Sequence, residues 1–503
     1  MESNQPPAAA ASAPAIHASL RRIGFLLAAA ALAFWAVLLI RGPVDWDLGW
    51  QMHLADRILA GDKLYVDVGA TEQHPPLYTW FCVAVTVLAG LLHTDPIRTL
   101  LTITAIASIA AVVVAARIAR GGPLLVAGFG AAALAVHGLA SGSGEQIATA
   151  FSLPYIAAAA RMIRSDESHE SVPIGIAAGL GMALKPHYAL VWLLVELGLA
   201  WERKKWRSIL RPTSIAAASV WIAYIAATLL FTPRYFHSAL RAVHYYGAFM
   251  SMSVGDVIRS SPYVILLVAW LLSILLRRWS AHPEIARLLL LAATAMWLGG
   301  VIQMKGWYHH WTPALGLTIA AIAALWPARA QIVGFILVLL FATDNLTVMA
   351  GKLTKHQEGQ PTFLPAMTAA VRTLAPDGPI LVLSDGLAIG FPLVNFTGAE
   401  WTLPESSLWM VQGLYPDDPD GDPVPIRQPA DWVPFERDVH DLIWTGIQRR
   451  PPRLVFAHGP RDSRIRQFVD ADPRVRQYLA GWQTIGRIGP YEVMLPPPAR
   501  PSP

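Results

Sequence analysis

Residues 23–40 read IGFLLAAAALAFWAVLLI, a run of 18 residues that carries no charge. A helix of about 20 apolar residues crosses the hydrocarbon core of a bilayer, so this run predicts a transmembrane helix. Arg21 and Arg22 precede the run and no small-residue cleavage site follows it, which favours an uncleaved membrane anchor. Residues 1–20 are rich in Ala and Pro, lack apolar periodicity and are predicted to be disordered.

Eleven further apolar runs follow the first one. Backbone groups in hydrocarbon must be hydrogen-bonded within the protein, and runs of this length achieve this as helices. The short alternation typical of a β-barrel is absent from the sequence. The sequence therefore predicts a polytopic α-helical membrane protein. The further runs lie at about 76–92, 99–116, 123–139, 146–163, 172–184, 188–201, 213–232, 262–276, 288–302, 312–326 and 331–348.

The composition separates a membrane region from an aqueous domain. The chain is 54% hydrophobic and 15% charged, against roughly 25% charged for a soluble domain. Of its 39 basic and 34 acidic residues, 15 and 17 lie after residue 350, so charge is denser there. This predicts a membrane region at 21–350, a soluble α/β domain at 351–495 and a disordered tail at 496–503. No basic stripe with interleaved aromatic residues occurs, which excludes nucleic acid as a partner.

The segment after residue 350 alternates between helical and strand patterns. The patterns predict helices at 362–375, at 431–450 with Asp431 as the cap, and at 462–480, and strands at 379–384, 453–457 and 491–495. A Pro/Asp-rich loop occupies about 415–430. No glycine-rich phosphate-binding motif is present, which argues against a nucleotide site. The single cysteine, Cys82, excludes a disulfide framework and a cysteine-based metal site.

Basic clusters in short loops indicate the cytoplasmic side of a membrane protein. They lie at Arg21-Arg22, Arg161/Arg164, 201–207, Arg277-Arg278 and Arg329. This orientation places the loops 41–75, 185–187, 233–261 and 303–311 and the C-terminal domain on the outer side. Twelve simple crossings would instead return that domain to the cytoplasm, so we expect a broken or re-entrant helix in 123–139. The prediction is about 11–13 transmembrane helices, with an odd number of true crossings, about 11 or 13.

The loop after the first helix begins with PVDWDLGW at residues 43–50. Asp45 and Asp47 lie close to the membrane boundary, on either side of Trp46. Two such carboxylates can take the proton of an acceptor hydroxyl or hold a divalent cation. The alternative is an interfacial Asp pair beside aromatic-belt residues Trp46 and Trp50, and both interpretations fit the spacing.

The same loop continues as LADRILAGDKLYVD at residues 54–67 and reaches TEQHPPLY at residues 71–78. An Asp-bearing outer loop followed by these stretches resembles the GT-C class of polyprenyl-phosphate-sugar-dependent glycosyltransferases, in pattern the superfamily of protein O-mannosyltransferases and lipid A aminoarabinose transferases. The resemblance implies that an acidic residue of this loop is the catalytic base. Asp47 matches that position best and Asp45 is the alternative, whereas the Asp-Glu pair common in the class is Asp47-Leu48 here. Glu72 and His74 are expected to bind substrate.

Two further short stretches resemble the class. Glu145, in SGEQ at 143–146, matches an acidic residue that helps to form the site, although a carboxylate also suits the first turn of a helix for electrostatic reasons. Lys185, in KPH at 185–187, interrupts an apolar hairpin and suits an anionic lipid phosphate, with His187 beside it. The alternative for Lys185 is a lysine that extends from a turn toward water.

A fourth candidate stretch is the loop QMKGWYHHW at 303–311. Cationic and aromatic side chains together can form a cup for the face of a pyranose and for a phosphate. Aromatic residues alone would indicate only a membrane interface. No HxxxH or HExxH spacing is present, which disfavours a zinc site. The expected substrate-binding residues here are Lys305, Trp307, Tyr308, His309 and His310.

The resemblance implies sugar transfer from a polyprenyl-phosphate-linked donor to an acceptor hydroxyl, with inversion and with Asp47 as base. Lys185, Lys305 and a histidine of 309/310 would meet the donor phosphate. No cofactor is required, although a divalent cation is compatible with the carboxylates. Expected partners are the lipid-linked donor, the bilayer, and a glycan, glycolipid or protein acceptor. The expected location is the bacterial inner membrane with a periplasmic C-terminal domain.

Two other functions fit parts of the sequence. A transporter or flippase of lipid-linked sugars would use the intramembrane charges to line a pathway. It predicts inverted repeats, and the two halves of the sequence show no internal repetition. A non-catalytic scaffold would leave the acidic and cationic outer loops without a role.

Overall fold

The computed structural model describes residues 13–165, 171–249, 252–355, 362–386, 388–414, 433–459 and 463–498. Several expectations concern residues outside these ranges. They are the disorder of residues 1–12 and 499–503, the Pro/Asp-rich loop at 415–430 and the helix cap Asp431.

Fifteen α-helices precede the C-terminal domain in the described residues, and each of the twelve predicted apolar runs overlaps one of them. Residues 13–20, expected to be disordered, instead form the first turns of helix α1. The helices are α1 (Ala13–Arg41), α2 (Trp46–Leu59), α3 (Pro76–Leu92), α4 (Pro96–Ala119), α5 (Pro123–Gly130), α6 (Gly144–Arg164), α7 (Val172–Ala183), α8 (Ala189–Arg203), α9 (Pro212–Phe231), α10 (Tyr235–Phe249), α11 (Val254–Ser260), α12 (Tyr263–Leu275), α13 (Pro283–Ile302), α14 (Tyr308–Leu325) and α15 (Gln331–Lys355).

Four of these helices, α1, α4, α9 and α13, are long and apolar enough to cross a membrane, and the bent pair α11–α12 is a fifth candidate. Four shorter helices, α3, α5, α7 and α15, are also apolar. Large apolar side chains such as Leu230 and Phe231 are exposed on these helices, as lipid contact requires. The protein is a multi-pass α-helical membrane protein, and its number of crossings remains a prediction.

The predicted break in 123–139 is present. Helix α5 ends at Gly130, a π-helical turn follows at Ala131–Ala135, and a 3₁₀ turn follows at Gly138–Ala140. Side chains satisfy the carbonyl groups that the break releases: Gln146 donates to Ala133, Asn345 to Ala135 and Tyr308 to Val136, each at 3.0 Å. Such donors allow a helix to be interrupted among apolar residues.

Helices α7 and α9 pack at unusually short range. Gly175 and Gly179, one turn apart on α7, face the backbone of Thr213 and Ala217 on α9. A Cβ atom at Gly179 would lie 2.8 Å from the Ala217 carbonyl oxygen. Small residues spaced four apart permit this approach, because no side chain separates the two backbones.

The chain forms two compact units. The first comprises Met1–Gly42, Leu100–Ile225 and Ser253–Ala350, and the second comprises Pro43–Thr99, Ala226–Met252 and Gly351–Pro503. One of the boundaries between the two units lies at residue 350. The loop after α1, however, was expected within the membrane region 21–350 and instead belongs to the unit of the C-terminal domain. The reason is that its apolar residues, including Trp50, Leu54 and Tyr65, share one buried core with that domain.

The C-terminal domain is an α/β domain built on a five-stranded sheet of order β2-β1-β3-β5-β4. Strand β1 is parallel to β2 and β3, and β5 is antiparallel to β3 and β4. The predicted helix 462–480 is two helices, because Asp472 caps the second one, which begins at Pro473. The elements are α16 (Leu364–Leu374), β1 (Pro379–Leu383), α17 (Leu393–Thr397), β2 (Glu400–Trp401), α18 (Val411–Leu414), α19 (Val433–Arg449), β3 (Leu454–His458), α20 (Arg464–Ala471), α21 (Pro473–Leu479), β4 (Gln483–Ile488) and β5 (Tyr491–Leu495).

Candidate functional site

Asp47 lies in the first turn of α2, after the N-cap residue Asp45. A carboxylate at this position is stabilised by the positive end of the helix dipole. The Asp47 side chain is 28% exposed, so a substrate hydroxyl can reach it. The carbonyl oxygen of Asp45 accepts the N–H of Gly49 at 3.0 Å and so begins the helix. The local geometry therefore gives the two predicted carboxylates different positions, one at the cap and one inside the first turn.

His74 connects Asp47 to Glu72. Its Nε2 lies 3.7 Å from Asp47 Oδ2, and its Nδ1 lies 2.6 Å from Glu72 Oε1. Because a carboxylate only accepts hydrogen bonds, Nδ1 carries the proton in this contact. Glu72 therefore orients the imidazole so that Nε2 is directed at Asp47. The predicted residues Asp47, Glu72 and His74 thus form one contiguous group.

Glu72 is buried and anionic. Burial alone would raise its pKa, but the charge and hydrogen bonds of His74 and the indole N–H of Trp50 at 2.6 Å together lower the pKa of Glu72 to about 2. Glu72 Oε1 also accepts the backbone N–H groups of Gln73 and His74, each at 2.8 Å. These four hydrogen bonds favour an orienting role for Glu72 over the predicted contact with substrate.

A second group of predicted residues lies in the other unit. Glu145, in the first turn of α6, is buried and forms an ion pair with Lys185, which directly precedes the 3₁₀ turn Pro186–Tyr188. His309 lies close enough to interact with the Glu145 charge. Ser143 caps α6 by accepting the N–H of Gln146 at 3.4 Å. The cap and the ion pair together fix Glu145 beside Lys185.

Aromatic and cationic residues of the 303–311 loop join this second group. Lys305 Nζ lies 4.7 Å from the centre of the Trp307 ring, a cation–π contact. The rings of His309 and His310 are 4.3 Å apart, and His310 interacts electrostatically with Lys185, Lys305 and His187. The structure thus brings the side chains of Lys305, Trp307, His309 and His310 together. Tyr308 is the exception, because its hydroxyl donates to the Val136 carbonyl oxygen at 3.0 Å.

Two buried imidazole nitrogens of the second group lack a hydrogen-bond partner within the described residues. His187 Nε2 and His310 Nδ1 are buried and have no hydrogen-bond partner among the residues that the structure describes. Buried polar atoms are nearly always hydrogen-bonded. Two such nitrogens beside two lysines indicate a place for an anionic ligand that accepts hydrogen bonds.

Within the described ranges no cluster of three or more His, Cys, Asp or Glu side chains has the geometry to hold a metal ion. Positive charge in the second group comes from Lys185 and Lys305.

Searches by sequence found no relative, since no protein-family model and no curated protein matches the chain. Among solved structures, the chain is similar to ArnT from Cupriavidus metallidurans, a lipid A aminoarabinose transferase of the GT-C class. ArnT bound to undecaprenyl phosphate is 15% identical with a TM-score of 0.56, over 95% of this chain and 98% of ArnT. Apo ArnT is 14% identical with a TM-score of 0.55, over 93% and 97%. The chain has the ArnT fold.

The ArnT fold confirms the GT-C-like fold class predicted from residues 43–78. The chain itself has the predicted order of a helical membrane region followed by a C-terminal α/β domain. At 15% identity the similarity concerns the fold, so the roles of Asp47, Glu145 and Lys185 depend on the geometry described above.

One residue of the second group was missed in the sequence. His137 is buried in the broken segment, where its Nε2 lies 3.1 Å from the Ala132 carbonyl oxygen and its Nδ1 lies 3.3 Å from Thr312 Oγ1. An imidazole inside an apolar run is a detectable signal. His137 therefore belongs with the polar residues that interrupt the apolar segments.

Proposed function

We propose that this protein transfers a sugar from a polyprenyl-phosphate-linked donor to an acceptor hydroxyl, with Asp47 as base and with inversion at the anomeric carbon. The observation that carries the proposal is the similarity to the ArnT fold over 95% of the chain, because one of the two solved ArnT structures is bound to undecaprenyl phosphate. The predicted location of the reaction is the periplasmic side of the bacterial inner membrane.

The group around Asp47 supports the assignment of the base. A base must remain ionised and must be accessible to the hydroxyl that it deprotonates. Asp47 lies in the first turn of α2, and the His74 Nε2 atom lies 3.7 Å from its Oδ2 atom. Its exposed fraction leaves access for the acceptor. Asp47 lies inside this turn whereas Asp45 is the N-cap residue of α2, and Asp47 remains the first choice.

The group around Lys185 supports the assignment of the donor phosphate. Lys185 and Lys305 supply positive charge, and His187 Nε2 and His310 Nδ1 can each donate a hydrogen bond to a phosphate oxygen in the tautomer that carries the proton on that atom. The ion pair with Glu145 holds Lys185 in place. Fixed cations stabilise the negative charge that develops on a leaving phosphate, so the proposal requires no metal ion.

The proposed reaction is a single displacement. Asp47 takes the proton of the acceptor hydroxyl, whose oxygen forms a bond to the anomeric carbon. The bond from that carbon to the phosphate oxygen breaks, and polyprenyl phosphate leaves with the electron pair. One displacement at the anomeric carbon inverts its configuration, and Trp307 provides a flat apolar surface for the sugar ring.

Asp47→Asn tests the proposal, because Asn keeps the shape of the side chain and cannot accept the proton. We expect the variant to fold normally and to lose about 10²- to 10⁴-fold in transfer rate. The assay uses the purified protein in proteoliposomes, a panel of undecaprenyl-phosphate-linked pentoses and hexoses as donors, and a membrane glycan extract as acceptor. Asp256→Asn, an exposed carboxylate on α11, is the matched control. Undiminished transfer by Asp47→Asn would exclude Asp47 as the base.

A further inference from the structure

Residues 69–72 form a tight turn directly before the contacts between Glu72, His74 and Asp47. Gly69 has a φ of 65°, and the N–H of Glu72 donates to the Gly69 carbonyl oxygen at 3.0 Å. A left-handed residue of this kind is readily provided by glycine. Since Glu72 ends the turn and His74 follows two residues later, the place of the turn determines where the imidazole lies.

Ser238, on α10, holds the turn from one side. Its hydroxyl lies 2.8 Å from the Glu72 carbonyl oxygen, 3.0 Å from that of Ala70 and 3.4 Å from that of Gly69. The Ser238 side chain is buried. A buried donor shared among three acceptors keeps all three carbonyl groups directed at one point.

Glu405 holds the same turn from the C-terminal domain. Its Oε1 accepts the Thr71 N–H at 2.7 Å, and the neighbouring Pro404 carbonyl oxygen accepts the Gly69 N–H, also at 2.7 Å. The indole N–H of Trp401 donates to the Glu405 carbonyl oxygen at 2.7 Å. Residues 404 and 405 therefore supply one hydrogen-bond acceptor each to the backbone N–H groups of Gly69 and Thr71 in the turn.

An aromatic chain connects Glu405 to Glu72 by a second route. Trp401 packs edge-on against Phe391 with ring centres 5.4 Å apart, and Phe391 packs likewise against Trp50 at 5.2 Å. The Trp50 indole N–H donates to Glu72 Oε2 at 2.6 Å. The backbone and the side chain of Glu72 are thus held by the same set of buried residues.

We propose that Ser238 and Glu405 are positioning residues that hold the 69–72 turn so that Glu72 presents His74 to Asp47. The inference rests on the proposed function, because it assigns these residues to the base of that reaction. A shift of about 1 Å in a reacting group can cost about a hundredfold in rate, so a turn held by Ser238 and Glu405 contributes to catalysis without contact with substrate.

The charge of Glu405 makes the arrangement sensitive to pH. Glu405 is 3% exposed, and burial raises the pKa of its carboxyl to about 8, although the N–H of Thr71 acts in the opposite direction. The other charges that act on it are Glu72, which raises its pKa further, and Arg241, which lowers it. At neutral pH the protonated carboxyl lies beside the Glu72 anion without repulsion. Above about pH 8 a second negative charge forms there and disfavours the turn.

The test measures transfer by Ser238→Ala, Glu405→Ala and Glu405→Gln between pH 6 and pH 9.5, with the donor panel and acceptor extract described above. We expect Ser238→Ala and Glu405→Ala to lower kcat by about 10- to 100-fold with little change in KM for the donor. Glu405→Gln keeps a hydrogen-bond acceptor for the Thr71 N–H and cannot ionise. We expect it to retain most of the activity that Glu405→Ala loses. The rate of the wild type is expected to decline as pH rises through about 8, and Glu405→Gln is expected to lack this decline. Ser253→Ala and Glu400→Gln, both exposed, are the matched controls.

The possible results separate this inference from the proposed function. If Asp47-dependent transfer occurs but Ser238→Ala and Glu405→Ala retain the wild-type kcat, the positioning role is wrong and the proposed function stands. The same conclusion follows if Glu405→Gln keeps the alkaline decline of the wild type. Wild-type protein that transfers no sugar from any donor would instead overturn the proposed function.

Discussion

The acidic residues of the two groups differ in their burial and in their contacts with other protein side chains. Glu72 and Glu145 are buried and bound to protein partners, whereas Asp47 is partly exposed. Carboxylates of the first kind orient a neighbour, and one of the second kind can meet a substrate. Burial and pairing thus assign different roles to acidic residues that look alike in the sequence.

Glu72→Gln should change stability in a manner that depends on pH. The pKa of Glu72 is about 2 in the folded protein against an ordinary 4.5, so its contribution is complete above about pH 4.5 and disappears as pH falls through 2. We expect the variant to be less stable by about 1–3 kcal/mol at pH 7, and the difference from the wild type to shrink toward pH 3. Thermal unfolding in detergent measures it, with Asp377→Asn, an exposed carboxylate in the same unit, as control. An equal difference at both pH values would contradict the prediction.

The sequence indicated some of these residues and not others. Asp47, Glu145, Lys185 and Lys305 were detectable because a charge among apolar residues is rare. Ser238 and Glu405 carry no such signal. Ser238 acts on carbonyl groups more than 160 residues away in the chain, and neither composition nor spacing reveals a partner at that distance.

The helices of the membrane region lie close to the positions that the apolar runs predicted, because a segment in hydrocarbon must hydrogen-bond its own backbone as a helix. The helices and strands of the C-terminal domain were predicted less completely from the sequence. Strand β2 has only two residues, and β4 is exposed along nearly its whole length. Neither strand has the buried alternation by which a strand is recognised. The packing of α7 on α9 was also not predicted, because glycine is common in many segments of this chain.

Gly179→Ala tests that close packing. The added methyl group would lie 2.8 Å from the Ala217 carbonyl oxygen, a backbone atom that cannot move away cheaply. We expect a loss of about 1–3 kcal/mol in the free energy of unfolding, measured by thermal or chemical unfolding in detergent. The matched control is Gly90→Ala on α3, where a Cβ atom meets no other atom within 4 Å. Equal stability of the two variants would show that α7 and α9 are not closely packed.

For the whole molecule, the sequence predicted the fold class and the order of the membrane region and the C-terminal domain. Low charge before residue 350 identified the membrane region, and denser charge after it identified the C-terminal domain. The division into units was predicted incompletely, because the loop after α1 has the composition of an ordinary interfacial segment. Only its three-dimensional neighbours show that Trp50 and Leu54 belong to the core of the C-terminal domain.

The predicted orientation can be tested on intact cells. Cys82 is the single cysteine and is fully buried, so the wild type should not react with a membrane-impermeant maleimide. We expect Arg372→Cys in the C-terminal domain to be labelled in intact spheroplasts, and Lys204→Cys at the end of α8 only after permeabilisation. The basic cluster around Lys204 predicts that it faces the cytoplasm. Labelling of Lys204→Cys in intact spheroplasts, with none at Arg372→Cys, would reverse the proposed topology.

The shared core of the second unit has a consequence for biosynthesis. Trp50 packs on Phe391, and the Asn395 side chain donates to the Gly49 carbonyl oxygen at 3.1 Å. A ribosome makes residue 49 long before residue 391, so the Asp47 loop emerges without the neighbours that complete its core. Domains fold as units once their chain is available. The core around the Asp47 loop is therefore completed late, after most of the chain has been translated.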